Sequence, residues 1–280
     1  MPKAMELWEG SVGGCALPHP CGDTTAPLWQ HPARGVPALA AAEPMPTPEP
    51  TVTLPHVQVH PTPREVMAAI AAVPAGATIA TDADNTLWAG DVGDEVVRAA
   101  ATPPHSPWGP TAADFARYEA LMDADYVAGC CHSAELIAQV SAVAARPVLA
   151  GAFARTVRPR RWLLDALADA VARGVRVVIV SASPRLAVEV GAALFGIEAW
   201  PAIAVDGGGG SDPAALREPI PIGHGKVEAW HAAGLPVPAL ALGDSAWDLP
   251  LLNMAACGLQ LKRACDDPAC DVSAAALSPR

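Results

Sequence analysis

Two aspartates one residue apart, Asp82 and Asp84, end a short apolar, β-branched run, Ala77-Thr78-Ile79-Ala80-Thr81, and Asn85-Thr86 follow. A buried strand in an open α/β sheet delivers such residues into the crevice at its C-terminal end. Two carboxylates there can bind one hard cation such as Mg²⁺, which prefers oxygen ligands and often sits beside phosphate. One of them can also attack phosphorus, because aspartate is able to carry an aspartyl-phosphate. An Asp-x-Asp pair alone is equally at home in an acidic turn, so the reading depends on what else the chain supplies.

Three more groups appear in order. Ser181-Ala182-Ser183-Pro184 ends a second apolar run, Val175 to Val180, and leads into a helical pattern. A hydroxyl and free backbone N–H groups at a helix start suit an anion. Pro184 at the first helical position makes Ser183 the N-cap and leaves Ser181, with the backbone of Ala182, for a phosphoryl oxygen. Lys226 follows in Gly223-His224-Gly225-Lys226. It is one of three lysines in the chain and stands at a helix start, where a cation is disfavoured by the macrodipole. That local conflict points to a role, a point charge facing phosphate and an acid. Finally Gly243-Asp244-Ser245-Ala246-Trp247-Asp248 follows the apolar run 239–242. Asp244 can complete a cation's oxygen shell, and Asp248 can orient it or hold Lys226.

The elements that must position these groups alternate between short strand patterns and helical ones, which is an α/β, Rossmann-like doubly wound parallel sheet. Strands are expected at 78–82, 175–180, 199–205, 239–242 and 257–261, with Ile220-Pro221-Ile222 returning as a hairpin. Helices are expected at 64–73, 160–173 and from Pro184 to Phe195. Between the first two strands, residues 92–155 read as a helical insertion able to cover the site and exclude water. Thr111 with Asp114 reads as a loose capping box opening one of its helices, Val140 falls on an apolar helical face, and Cys130-Cys131-His132 is placed between two helices as a turn with buried thiols. Asp91, Asp94 and Glu95 follow Gly90 beside the site. Asp91 could meet a cationic group of a substrate, while Asp94 and Glu95 fit a helix's acidic first turn. Trp88 and Trp108 could add cation–π attraction, although packing is the commoner use of a tryptophan. Gly207 to Gly210 lacks the lysine and hydroxyl of a phosphate loop and reads as a surface turn. The domain plan is a Pro/Ala-rich tail over 1–62, a core of 63–91 and 156–265, the insertion, and a C-terminal tail over 266–280.

Bulk properties narrow the classes. The chain has 280 residues, 51% hydrophobic and 17% charged, with 30 Pro and a formal net charge of −11. Nucleic-acid binding needs a basic face and is not expected. No stretch is long enough to span a bilayer. Seven cysteines, none with zinc-finger spacing, fit reduced thiols and a cytoplasmic protein. Val12-Gly13-Gly14-Cys15 and Ala38 to Ala42 resemble export-cleavage sites, but neither follows a basic start and an unbroken apolar core; export is the alternative.

Taken together, Asp82-x-Asp84-x-Thr86, the strand-borne Ser181, Lys226 and Gly243-Asp244-x-x-x-Asp248 resemble the four-motif signature of the haloacid dehalogenase superfamily, over residues 64–262. Val178 to Ser183 and Leu194-Phe195-Gly196-Ile197 are similar to its phosphoserine phosphatase-like branch, as is the helical insertion. Asp82 to Trp88 with Gly90-Asp91 is similar to phosphocholine phosphatase-type members. The resemblance implies that Asp82 is the nucleophile and Asp84 the general acid and base. It implies Mg²⁺ on Asp82, the backbone carbonyl of Asp84, and Asp244, with Asp248 and Thr86 in support, and Ser181 and Lys226 on the phosphoryl group. Asp91 stands where phosphoserine phosphatases carry a glutamate. The expected activity is a Mg²⁺-dependent phosphomonoesterase acting on a small, amino-bearing phosphate ester. A phosphotransferase using the same intermediate and a non-catalytic binding protein on the same fold are the alternatives.

Overall fold

The computed structural model describes residues 57–101, 112–138, 142–207 and 216–270. The expectations for Trp108, Thr111, Val140, residues 208–210 and most of both tails lie outside the described residues.

Strand β1 (Val57–Val59) leads to helix α1 (Pro63–Ala72) and strand β2 (Thr78–Thr81). A two-residue strand β3 (Trp88–Ala89) precedes four helices, α2 (Val92–Ala101), α3 (Ala112–Ala124), α4 (Tyr126–Ala138) and α5 (Ala142–Thr156). Strand β4 (Arg158–Pro159) pairs antiparallel with β3 and closes the base of this insertion. Then come α6 (Arg161–Ala172), β5 (Arg176–Pro184), α7 (Arg185–Leu194), β6 (Ala202–Val205), α8 (His224–Ala232), β7 (Leu240–Gly243), α9 (Leu249–Met254) and β8 (Gly258–Gln260). Single 3₁₀ turns occupy Ala246–Asp248 and Ala264–Asp266.

The six long-range strands form one parallel sheet in the order β1-β8-β7-β2-β5-β6. Parallel strands need both faces covered, and the side-chain period of two supplies them. Ile79, Val177, Ile179 and Leu242 bury into one cluster with Leu163, Leu167 and Val188, from α6 and α7. Ala80, Val178, Val180 and Ala241 bury into another with Trp230, Leu251 and Leu252, from α8 and α9. After β2 the chain builds outward through β5 and β6, then returns to the other side of β2 with β7 and β8. That reversal opens a crevice at the C-terminal end of β2, where Asp82 follows Thr81.

Four expectations change. Residues 57–59 pair parallel with β8, so part of the expected tail is an edge strand. Thr62 also belongs to the core: its side chain accepts from Glu65 N, and Glu65 Oε2 accepts from Thr62 N at 2.7 Å, a reciprocal box that starts α1. Cys130, Cys131 and His132 lie inside α4 rather than between helices, since nothing in the segment breaks a helix before Ala138. No strand forms at 220–222; the return after β6 is a single antiparallel bridge from Gly207 to Leu216. At the other end, Cys270 is buried and its carbonyl accepts from Arg161 N at 2.9 Å, so the first residues of the expected C-terminal tail pack onto the core.

Candidate active site

The crevice is a cavity of about 400 Å³. Its floor is built from the ends of β2 and β7, the last residues of β5 and the start of α8. Asp82 N–H donates to Leu242 O at 2.8 Å, which fixes the residue between β2 and β7. Lys226 rises from the first turn of α8, only 2% exposed. Its Nζ donates to Asp82 Oδ1 at 2.7 Å, Asp248 Oδ1 at 2.5 Å and Val180 O at 3.0 Å. All three ammonium donors are therefore used. The helix start disfavours this cation, and two carboxylates more than offset that. Burial alone would lower the ammonium's pKa; Asp248 and Asp82 outweigh it and hold the group above its ordinary value.

Asp248 uses its second oxygen to tie the loop after β7. Oδ2 accepts from Asp244 N at 3.2 Å, Ser245 N at 3.0 Å and Ser245 Oγ at 2.8 Å. This close approach explains Gly243, where an added Cβ would fall 2.4 Å from Asp248 Cβ. Asp244 is thereby aimed at Asp82, and one carboxylate oxygen each of Asp82, Asp244 and Asp248 lies within 4.8 Å of the others. Thr86 Oγ1 donates to Asp244 Oδ1 at 3.1 Å, and Arg263 Nε stands 3.8 Å from Oδ2. Burial raises the Asp244 pKa to about 6, with a further push from Asp248. Burial also raises Asp82, helped by Asp248 and opposed by Lys226.

Asp84 points away from this cluster. Its Oδ1 accepts from Trp88 Nε1 at 2.7 Å and Val92 N at 2.9 Å, and its Oδ2 from Ser183 Oγ at 2.6 Å. Burial raises its pKa, and the three donors, Ser183 foremost, pull it part of the way back. One sequence expectation fails here, at Ser183, while Trp88 takes the packing role that is the commoner use of a tryptophan. Ser183 is not a helix cap, because β5 runs on to Pro184 and α7 begins with no side-chain cap bond; its hydroxyl is spent on Asp84. Trp88 is fully buried with its indole N–H on Asp84, so it offers no face to a substrate. Ser181 and Ala182 do line the cavity, and Ser181 Oγ accepts from Ser183 N at 3.1 Å.

The opposite wall comes from Asp91, the last residue before the insertion, and from the insertion itself. Asp91 Oδ1 accepts from Gly93 N at 2.8 Å and Asp94 N at 3.1 Å, which starts α2. The same carboxyl lines the cavity, and burial, with Asp84 and Asp94 nearby, pushes its pKa well up. Asp94 accepts from the Tyr118 hydroxyl. Tyr126 stacks on Trp247 of the Asp244–Asp248 loop, ring centroids 5.0 Å apart and planes 18° apart. Sequence reading passed over Tyr118, Tyr126, Trp247 and Arg263 as site residues. Nothing in the neighbouring residues marks the tyrosines, but Trp247 sits inside an acidic loop, and an aromatic there was a legible signal.

A family model described as haloacid dehalogenase-like hydrolase matches residues 79–253, more than half of the chain. The chain belongs to that family. Among solved structures, a HAD family hydrolase from Salmonella enterica serovar Typhi is similar at 22% identity and TM-score 0.48, covering 68% of this chain and 63% of that one. A phospho-aspartyl intermediate analogue of phosphoserine phosphatase is similar at 18% identity and TM-score 0.44, covering 67% and 86%. Cytosolic 5′-nucleotidase IIIB bound to cytidine is similar at 13% identity and TM-score 0.48, covering 71% and 76%. The chain thus spans less than two thirds of the Salmonella protein. No curated protein matches it. Among the described residues no helix is long and apolar enough to cross a membrane.

Proposed function

We propose that this member of the family is a phosphomonoesterase of the phosphoserine phosphatase-like branch, with residues 92–155 as its cap. The observation that carries the reading is the shared Lys226 ammonium, which fixes Asp82 and Asp248 at 2.7 and 2.5 Å within one cavity. Phosphoryl transfer needs positioned charge more than elaborate covalent chemistry.

Asp82 attacks phosphorus, and the bond from phosphorus to the leaving oxygen breaks. Asp84 gives its proton to that oxygen, and the alcohol departs from an aspartyl-phosphate. The Asp84 carboxylate then takes a proton from water as the water oxygen attacks phosphorus, which frees Asp82 and inorganic phosphate. Burial favours the protonated form that Asp84 needs for the first step. Its two oxygens accept three hydrogen bonds, which leaves acceptor capacity on Oδ2 for the proton it carries. Ser181 and the Ala182 backbone face the phosphoryl oxygens with Lys226.

The acidic cluster fits a Mg²⁺ ion. Both oxygens of Asp248 are committed to Lys226 and the loop amides, so Asp248 supports rather than ligates. Asp82 Oδ2 carries no hydrogen bond among the described residues, and Asp244 Oδ2 meets only Arg263 at 3.8 Å. Asp82, Asp244 and the Asp84 carbonyl would hold the ion. Bound there, it neutralises charge on the phosphoryl oxygens.

The substrate is a small phosphate ester bearing an amino group. Asp91 supports this: it lines the cavity, has no cationic partner among the described residues, and ionises more readily beside an arriving ammonium. The test is phosphate release from p-nitrophenyl phosphate, phosphoserine, phosphoethanolamine and phosphocholine, with and without Mg²⁺. Asp82→Asn is expected to lower kcat by about 10⁴-fold or more. Turnover indifferent to Asp82 would sink the mechanism.

A further inference from the structure

Two aromatic rings from distant parts of the chain close one side of the catalytic cavity. Tyr126 is the first residue of α4 in the insertion, and Trp247 stands in the 3₁₀ turn between Asp244 and Asp248. Both line the cavity. Their centroids are 5.0 Å apart and their planes 18° apart, a geometry in which stacked rings attract.

Each ring is held from behind. Trp247 backs onto the turn before α8, where a Cβ added to Gly223 would fall 3.3 Å from its Cε3. Its neighbour Asp248 is bound to Lys226 at 2.5 Å. Tyr126 meets the thiol of Cys130, one turn along α4. Gly129 of the same helix lies against Met122 of α3, where an added Cβ would fall 2.5 Å from Sδ. The outer side of the pair faces water: Trp247 is 41% exposed and Val127, next to Tyr126, 38% exposed. On the inner side burial pushes the Cys130 thiol up to about 12. The stack therefore stands between the cavity and solvent.

The chemistry proposed above gives neither ring a part. Space does. The cavity, about 400 Å³, is near the lower end of the roughly 300–1,000 Å³ usual for small-molecule sites. The phosphoryl group beside Asp82 and Lys226 takes a share of it, and the alcohol has the rest. We infer that the Tyr126–Trp247 stack sets the upper size of that alcohol: the cavity takes esters of short amino alcohols and rejects the same esters carrying a bicyclic group on nitrogen. As a statement about substrates this rests on the phosphomonoesterase reading, and it names the residues that keep the substrate small. A wall of packed rings selects by clash against the larger group, not by added attraction to the smaller one.

Two readouts on the full chain test it. The first is the ratio of kcat/KM for phosphoethanolamine to that for its N-naphthylmethyl derivative, which keeps the charge and adds bulk. Tyr126→Ala is expected to lower this ratio by about tenfold or more, through a lower KM for the bulky ester. Tyr126→Phe keeps the ring and is expected to leave the ratio unchanged. The second readout needs no turnover. Cys130 lines the cavity beside Tyr126. Its rates of reaction with methanethiosulfonates bearing a methyl or a naphthyl group are measured by fragment mass, which separates it from Cys131. Both reagents meet the same slow thiol, so their rate ratio reads access. That methyl-to-naphthyl ratio is expected to fall by about tenfold or more in Tyr126→Ala and to stay at the parent value in Tyr126→Phe. Should Tyr126→Ala fail to fold, Trp247→Ala removes the other, partly exposed ring and is expected to lower the thiol ratio likewise. A thiol ratio unchanged in the ring-deleted variant that folds, an ester ratio unchanged in an active one, or an equal fall in Tyr126→Phe overturns the inference. A parent inactive on every ester overturns the phosphatase reading instead, and the thiol ratio still decides whether the stack is the wall.

Discussion

On the core wall of the catalytic cavity, Lys226 reaches two carboxylates and a carbonyl with its three protons. On the insertion wall, Asp91 meets only two backbone N–H groups and no cation among the described residues. The first wall answers its acids with one shared ammonium and is buried between strands that cannot shift without breaking the sheet. The second carries charge that a ligand has to answer. The difference separates two jobs. A rigid, paired set of charges suits the phosphoryl group common to every substrate in this reading, and an unanswered acid on the insertion suits the part that differs between substrates.

The comparison breaks hardest at Lys226. Lys226→Met leaves Asp82 and Asp248 buried without their shared cation. The expected cost is about 3–5 kcal/mol of stability near neutral pH, read from urea unfolding, together with loss of phosphatase turnover. A variant as stable as the parent would show that the core wall does not depend on this pairing.

Asp91→Asn tests the other wall. An asparagine oxygen can still accept from Gly93 and Asp94, so the start of α2 is kept while the charge goes. The expected result is a KM raised by about tenfold or more for phosphoserine or phosphoethanolamine, with p-nitrophenyl phosphate little affected. An equal change for both substrates would assign Asp91 to α2 alone.

A smaller effect sharpens the metal side. Asp244 has a pKa of about 6 in the metal-free protein, above the usual carboxylate range. Protons compete with the cation for it, so Mg²⁺ affinity is expected to fall as pH drops below about 6, by up to about tenfold per unit. The linkage sign for folding is opposite. An acid whose folded pKa is raised contributes stability that is fully present below its unfolded value, about 4, and is lost as pH rises through about 6. Without metal, the Asp244 contribution should therefore decline over that window, and Mg²⁺ should restore it. Calorimetric titration and thermal unfolding between pH 4 and 7 would check both signs.

Local pattern was enough for the order of the core strands β2, β5, β6, β7 and β8, for the strand-end placement of Asp82 and Asp244, and for the conflict at Lys226. Each depends on a period of two or 3.6, or on a residue out of keeping with its position. Local pattern misled at Ser183. A serine before Pro184 makes an acceptable helix cap by every nearby rule. It was claimed instead by a buried carboxyl, Asp84, which took Ser183 from 99 residues away. The edge strand at 57–59 was missed for a similar reason: three residues carry no period, and only pairing with β8 defines them.

By itself, the sequence determined the doubly wound class, the four chemical groups and their order along the chain, because alternation and strand-end acids are properties of neighbouring residues. Only the tertiary structure decided how the groups share their protons. It gave Asp248 to the loop amides and Lys226, gave Asp84 to Trp88, Val92 and Ser183, and set the Arg160 guanidinium over the Trp162 ring. The reason is physical. Burial makes every polar atom need a partner, and the partner that supplies it is whichever one folding brings near, however far away it stands in the chain.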